Sequence, residues 1–211
     1  MRTEAILDAA VELLDESAVD DLTTDRIADR AGVSTATVYN LVGPRDQLLR
    51  AIIDRVVEGL VERVAAASAR DEDPIAVAHL IVDHSVAAFT EHSMAYRRIV
   101  AAGRPVGSDP ARDMADPSSL QVAALRRAQE IGVLRGDVDV AGLGRQIFIS
   151  WIGAMDHWAG GRLDDEGFAV ATRHGLLAVL AASAVDGERE RFAAELAEVG
   201  VRLERHWNRA R

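Results

Sequence analysis

Residues 22–41 decide the fold of this chain, and they read LTTDRIADRAGVSTATVYNL. Thr23 or Thr24, and later Ser34, are suitable helix N-caps, so the stretch predicts two short helices. Gly32 lies between them and allows the positive φ of a sharp turn. A short helix, a glycine turn and a second short helix together form the pattern of a helix-turn-helix motif.

The second helix of this motif is expected to carry a polar outer face. Val38 and Leu41 are its apolar positions, and we expect both to point into the core. The hydroxyl and amide groups on the polar face are long enough to reach base edges or phosphates in a major groove. An alanine on this face offers a methyl contact to thymine. The candidate recognition residues are Ser34, Thr35, Ala36, Thr37, Tyr39 and Asn40.

The rest of the chain predicts an all-α fold of about ten helices, because apolar residues recur at helical spacing and no stretch alternates as a strand would. Residues 1–50 are predicted to form a three-helix DNA-binding domain, and residues 51–211 a helical ligand-binding and dimerisation domain. A long helix over about residues 44–67 would join them. Residues 103–117 hold three prolines and two glycines and predict a loop. The later helices are predicted at residues 74–92, 95–102, 118–130, 138–159, 164–184 and 188–209.

Composition excludes several classes of site. The 211 residues include no cysteine, so disulfides, thiolate zinc sites and iron–sulfur clusters are absent. No apolar stretch approaches the roughly 18–20 residues that span a bilayer, and the N-terminus lacks the pattern of a signal peptide. We therefore expect a cytoplasmic protein that does not cross a membrane.

Catalytic, cofactor and metal motifs are also missing. The sequence has no G-x-S-x-G elbow, and the glycine pair at Gly142 and Gly144 lacks the third glycine of a dinucleotide-binding loop. His79, His84 and His92 share one predicted helix, but their spacing does not place imidazoles on adjacent turns. The sequence thus predicts no enzyme activity, no cofactor and no metal site.

The sequence is strongly acidic, which is unusual for a protein that binds nucleic acid. The formal net charge is −10, and all 24 basic residues are arginine. Residues 1–50 hold five arginines against ten acids. However, no carboxylate lies between Asp29 and Asp46, and Arg30 and Arg45 flank that gap. The predicted docking face is therefore the one acid-free stretch, and the amides that open the long helix could hold a phosphate beside Arg45.

These residues resemble the N-terminal domain of the TetR family of bacterial transcriptional regulators. The match runs from about Glu4 to Ile53. Its most specific parts are Thr23-Thr24, Ile27-Ala28, Ala31-Gly32-Val33-Ser34, Thr37-Val38-Tyr39 and Arg45-Asp46-Gln47-Leu48-Leu49. The resemblance implies that Thr35, Ala36, Thr37, Tyr39 and Asn40 contact bases and phosphates, and that Thr24 and Arg45 hold backbone phosphates.

The resemblance also implies a function. Proteins of this family bind operators as homodimers and release them when a small ligand enters the C-terminal domain. We therefore expect a repressor that binds a palindromic double-stranded DNA operator and responds to a small apolar or amphipathic effector. Two features depart from the family pattern, namely the acid Asp25 early in the second helix and Leu41-Val42-Gly43 where an aromatic often stands. The alternative is a helical dimer of the same fold that binds a small molecule or a protein and has weak DNA affinity.

A candidate effector site follows from the few large side chains of the second domain. Core packing is the simpler interpretation of each, yet a mainly aliphatic core with a few aromatic and polar groups could enclose an apolar pocket with anchoring points. The candidate ligand-binding residues are His84, Phe89, Tyr96, Gln121, Phe148, Trp151 and Met155.

A candidate dimer interface follows from the helix at residues 138–159. This helix is apolar on two faces, and the following helix at residues 164–184 is apolar almost all round. Together they could form a two-fold, four-helix interface. The alternative is that the last helix of the chain covers these faces.

Overall fold

The computed structural model describes residues 2–70, 72–102 and 118–209. In these residues the chain forms ten α-helices, one turn of 3-10 helix at Val19–Asp21, and no β-strand. The predicted all-α class is confirmed, whereas the loop predicted at residues 103–117 lies outside the described residues. The helices are α1 (Arg2–Glu16), α2 (Thr24–Ala31), α3 (Thr35–Val42), α4 (Arg45–Ala69), α5 (Pro74–Thr90), α6 (Ser93–Ala101), α7 (Ser119–Glu130), α8 (Val140–Ala159), α9 (Asp165–Ser183) and α10 (Asp186–Arg209).

Local hydrogen bonds explain where α2 and α3 begin and end. The Thr23 hydroxyl accepts from the backbone N–H of Arg26 at 3.3 Å, and the Ser34 hydroxyl accepts from that of Thr37 at 3.1 Å. Both helices therefore have side-chain N-caps. Gly32 ends α2 with a φ of 66°, a conformation that glycine adopts without steric cost.

The buried side of α3 differs from the predicted one at a single position. Val38 is 1% exposed and Val42 is 7% exposed, whereas Leu41 is 46% exposed. The prediction that Leu41 points inward is wrong. The third and fourth residues after Val38 both lie near its face of the helix, and the packing of α3 selects the fourth.

The described chain divides into two compact units. The first comprises residues 2–59 and 88–102, and so contains α1 to α3, the first part of α4 and all of α6. Its buried core includes Ile6, Leu14 and Ile99. Sequence patterning did not predict that α6 packs on α1, because the two helices lie about 80 residues apart in the chain.

Asp15 and Arg98 join the ends of α1 and α6. The Asp15 carboxylate accepts from the backbone N–H of Ala95 at 2.9 Å and lies 2.6 Å from His92 Nδ1. The Arg98 guanidinium donates to the Ser17 carbonyl at 3.0 Å. Each helix thus supplies a side chain that satisfies backbone groups left free at the end of the other.

The second unit comprises residues 60–87 and 118–209 and contains α7 to α10 with parts of α4 and α5. Here α9 packs against both α8 and α10. Gly175 permits the close approach of α8 and α9, because a Cβ at this position would lie 2.8 Å from Ser150 Cβ. Among the described helices, none combines the length and apolar character that a bilayer span requires.

Candidate nucleic-acid interface

One face of α3 is open to solvent. Thr35, Ala36, Tyr39 and Asn40 are all exposed, and the Tyr39 side chain is 61% exposed. The opposite side of the helix is anchored by Val38 in the core. The open face therefore offers hydroxyl, methyl, phenol and amide groups on a short, capped helix, which is the chemistry that reads base edges in a major groove.

Ser34 and Thr37 have a structural role at the start of α3. The two hydroxyl oxygens lie 2.8 Å apart, and the Ser34 hydroxyl also caps the helix. Ser34 is exposed and Thr37 is half-buried. These two candidate residues thus contact each other through their hydroxyl groups. A contact of either hydroxyl with DNA would be made by an oxygen that already takes part in the cap of α3.

Thr35 is bound to a residue of the preceding helix. Its hydroxyl oxygen lies 3.0 Å from Asp25 Oδ1. Both side chains are exposed, so a carboxylate stands beside the first residue of α3. The sequence marks Asp25 as an unusual acid but does not predict its partner, because the contact forms only once the turn at Gly32 is folded.

Arg45, the candidate phosphate ligand at the start of α4, is also partnered. Its guanidinium lies 3.2 Å from Asp20 Oδ1 and 3.3 Å from the Val19 carbonyl oxygen. The Arg45 side chain is 45% exposed and that of Asp20 is 94% exposed. Thr24, the other candidate phosphate ligand, is half-buried at the first position of α2.

Arg30 forms ion pairs with two acids of α1. Its guanidinium contacts Glu12 at 3.1 Å and Glu16 at 2.9 Å. The hydrogen bond from Arg30 holds the pKa of Glu16 below its ordinary value. Arg26 likewise donates to the Asp21 carbonyl at 2.8 Å. Carboxylates of the same unit therefore offset the charges of Arg30 and Arg45, which lowers the attraction to phosphate.

Residues 6–52 match the family model described as bacterial regulatory proteins, tetR family. The match covers 47 of the 211 residues and lies within the first unit. The matched residues contain most of α1, all of α2 and α3, and the beginning of α4. The exposed face of α3 therefore lies within the region that matches this family model. No curated protein matches the sequence.

Several solved structures share the fold of this chain over most of its length. SmeT, the repressor of the Stenotrophomonas maltophilia multidrug efflux pump SmeDEF, is 24% identical, with a TM-score of 0.66 over 88% of this chain and 92% of that one. Thermus thermophilus FadR, a repressor solved with lauroyl-CoA, is 22% identical, with a TM-score of 0.62 over 87% and 96%. A gamma-butyrolactone receptor is 16% identical, with a TM-score of 0.61 over 94% and 96%.

Two of the candidate ligand-binding residues belong to the first unit. Phe89 and Tyr96 are buried and their ring centroids lie 5.0 Å apart. Burial raises the pKa of Tyr96, and the neighbouring Arg55 opposes that shift. The pair thus contributes an aromatic contact to the packing around α6.

The other five candidates belong to the second unit. Trp151 is buried between Phe148, at a centroid distance of 6.3 Å, and Phe168, at 5.9 Å. Met155 is buried too. His84 is half-buried, and burial lowers its pKa.

Gln121 is the most polar of these five positions. Its side chain is 4% exposed, and its Nε2 donates to the Ala78 carbonyl at 3.1 Å. Its Oε1 has no hydrogen-bond partner among the described residues. A buried acceptor without a donor is costly, so this oxygen is a suitable anchor for a donor group on a ligand.

A cavity of about 270 Å³ lies in the second unit, where the end of α4, the start of α5 and α7 meet. Its wall is mainly apolar, with one acid and one arginine. None of the seven candidate ligand-binding residues lines it. The lining residues are Val64, Ser68, Glu72, Pro74, Val77, Leu120, Ala123, Ala124 and Arg127.

Proposed function

We propose that this chain is a homodimeric transcriptional repressor of the cytoplasm, which binds a palindromic operator and leaves it when a small effector binds. The observation that carries the proposal is the exposed, capped face of α3 within a TetR-family DNA-binding domain. Solved structures of this fold include proteins described as repressors, which supports the same sign of regulation here.

The DNA contacts divide by chemistry. Tyr39, Asn40 and Thr35 face a major groove, where hydroxyl and amide groups read base edges and Ala36 contacts a thymine methyl. Arg45 and Thr24 bind phosphates and set the register of α3. A phosphate would compete with Asp20 for Arg45, since one guanidinium nitrogen contacts that carboxylate in the free protein.

The second unit supplies the dimer. Ile149 on α8 is 61% exposed, a large apolar side chain on a helix whose other face is buried at Ile147 and Trp151. A two-fold contact through this face would join two chains, and each chain would bring one copy of α3. Half-sites about 34–36 Å apart, one helical turn, or somewhat more, fit such a dimer.

The effector is a small apolar or amphipathic molecule held by the second unit. The Gln121 oxygen offers one polar anchor inside an aliphatic and aromatic core. Helix α4 contributes residues to both units, so an effector that favours one position of this helix would change the spacing of the two DNA-binding domains. Such coupling requires the effector to bind one arrangement more tightly than the other.

Selection of duplex DNA from a random pool tests the proposal. The purified protein should enrich a palindrome, and its affinity should fall as salt concentration rises. Tyr39→Ala should weaken binding to the enriched duplex by about 5- to 150-fold while gel filtration shows an unchanged mass. A folded protein that enriches no sequence, or a Tyr39→Ala variant with full affinity, would contradict the proposed interface.

The ion pairs between arginines and carboxylates in the first unit favour a second candidate function. A helical module that binds a small molecule or a protein, with weak DNA affinity, would have no need of a positive surface. Arg30 and Arg45 are held by carboxylates as such a module would allow. A flat dependence of DNA affinity on salt, together with a folded dimer, would favour this second function.

A further inference from the structure

The hydrogen bond between Thr35 and Asp25 has a fixed direction. An ionised carboxylate only accepts hydrogen bonds, so the Thr35 hydroxyl donates its proton to Asp25 Oδ1, 3.0 Å away. Thr35 can then offer a base only two features, its methyl group and the lone pairs of its hydroxyl oxygen. The pair as a whole presents acceptors and no donor.

The charge of Asp25 has no compensating cation among the described ion pairs. Three arginines lie nearby in the sequence of this unit, and each is engaged elsewhere. Arg26 binds the Asp21 carbonyl, Arg30 binds Glu12 and Glu16, and Arg45 binds Asp20. None of the described ion pairs involves Asp25, so no bound arginine offsets a negative charge at this position.

The position of this acceptor pair is at the N-terminal end of α3. Thr35 is the first residue of the helix, and the N-terminal residues of a recognition helix are those that reach base edges. Asp25 and Thr35 are both exposed. An acceptor-only group at this place would attract an exocyclic amine and repel the acceptor atoms of guanine and thymine.

We propose that Asp25, held by Thr35, is a specificity-determining residue that selects cytosine at one position of each half-site by accepting from its N4 amine. Adenine also presents an amine, but its N7 acceptor lies beside N6 and would be repelled by the same carboxylate. Cytosine has a C–H group in the equivalent place. The inference rests on the proposed operator binding and adds the identity of one base to it.

The matched variants are Asp25→Asn and Asp29→Asn. Both remove one negative charge from an exposed position of α2, and only Asp25 contacts Thr35. Asp29→Asn should raise the affinity for every duplex alike. Asp25→Asn adds an amide donor, so it should raise the overall affinity and also replace cytosine by adenine or guanine at one position of each half-site in random-pool selection.

A base analogue tests the role of the cytosine N4 amine directly. In the selected operator, the cytosine is replaced by 2-pyrimidinone, which lacks the N4 amine, and affinities are measured by fluorescence anisotropy. The replacement should weaken binding about tenfold for the wild type and for Asp29→Asn. It should have little effect on Asp25→Asn, because that variant no longer depends on the amine. Thr35→Val, which removes the hydroxyl that positions the carboxylate, should lose part of the discrimination.

The outcomes separate this inference from the proposed function. A wild type that enriches no operator overturns both. A wild type that enriches an operator, with base preferences that Asp25→Asn and Asp29→Asn leave equally unchanged, overturns only the role of Asp25. If Asp25→Asn fails to fold by circular dichroism, Thr35→Val decides, and full retention of the cytosine preference in that variant overturns the inference.

Discussion

The ion pair between Arg45 and Asp20 opposes the phosphate contact proposed for Arg45. Both side chains are solvent-exposed, with 45% and 94% exposure, and exposed pairs contribute only about 0.2–1 kcal/mol. The pair is therefore weak enough for DNA to displace. At the scale of single residues, we therefore expect Asp20 to lower the proposed affinity for DNA without preventing binding.

Asp20→Asn is expected to increase operator affinity by about two- to fivefold, since it frees Arg45 and removes one negative charge. Asp21→Asn is the matched control, because it removes the neighbouring charge, whereas the carboxylate that contacts Arg45 among the described residues is that of Asp20. Fluorescence anisotropy at fixed salt measures both. Equal gains in the two variants would show that only overall charge matters.

At the scale of elements, the ends of α1 and α6 stabilise each other. His92 precedes α6 without a side-chain cap to its backbone, so the Asp15 carboxylate, reaching from α1 to the Ala95 N–H, takes that role. This contact joins a helix of the matched DNA-binding domain to a helix far along the chain. It is also part-buried, so its loss leaves a backbone donor poorly solvated.

Asp15→Ala is expected to lower the free energy of unfolding by about 1–3 kcal/mol, because the Ala95 N–H loses its acceptor. Asp15→Asn keeps an oxygen for that N–H and should cost less. Urea denaturation followed by circular dichroism measures both variants. Equal losses in the two would show that the charge beside His92, and not the cap, provides the stabilisation.

At the scale of the whole molecule, the proposed dimer depends on Ile149, an apolar side chain that is 61% exposed in the single chain. Ile149→Glu should convert a dimer into a species of one chain mass, 22.7 kDa, because it places a charge in the proposed interface. Ile131→Glu is the control, since Ile131 is 50% exposed at the end of α7. Gel filtration with light scattering reads out both, and a dimeric Ile149→Glu variant would contradict an interface through this face of α8.

Acid sensitivity is a second property of the whole molecule. His79 on α5 is half-buried, and burial lowers its pKa below 6.5, with Asp83 and Arg173 acting in opposite directions. The folded state therefore prefers neutral His79, whereas the unfolded chain takes up a proton below about pH 6.5. The contribution of His79 to the free energy of unfolding is therefore fully present above about pH 6.5. It decreases as the pH falls towards the pKa that His79 has in the folded state.

His79→Gln should make the free energy of unfolding less sensitive to pH than that of the wild type between about pH 7.5 and about pH 5. Urea denaturation across this range measures the slope. His84, whose pKa is also lowered by burial, remains in the variant and contributes a slope of the same sign. An unchanged slope in His79→Gln would assign the acid sensitivity to other groups.

Local chemistry explains why much of the fold was predictable. The Ser34 cap, the turn at Gly32 and the helical periodicity all depend on residues three or four positions apart, so a short window of sequence contains them. The predicted α2–α3 pair and the all-α class follow from such windows. The same windows placed Thr35, Tyr39 and Asn40 on the exposed face of α3, where the structure also has them.

Tertiary packing decided what the sequence left open. The periodicity of α3 brings both Leu41 and Val42 near the core, and only the packing against the rest of the unit shows that Val42 is buried. The partnership of Asp15 with Ala95 spans 80 residues, and that of Arg45 with Asp20 spans 25. The sequence alone thus determined which elements form, because helix signals are local, whereas the partners of charged side chains depend on how distant helices meet.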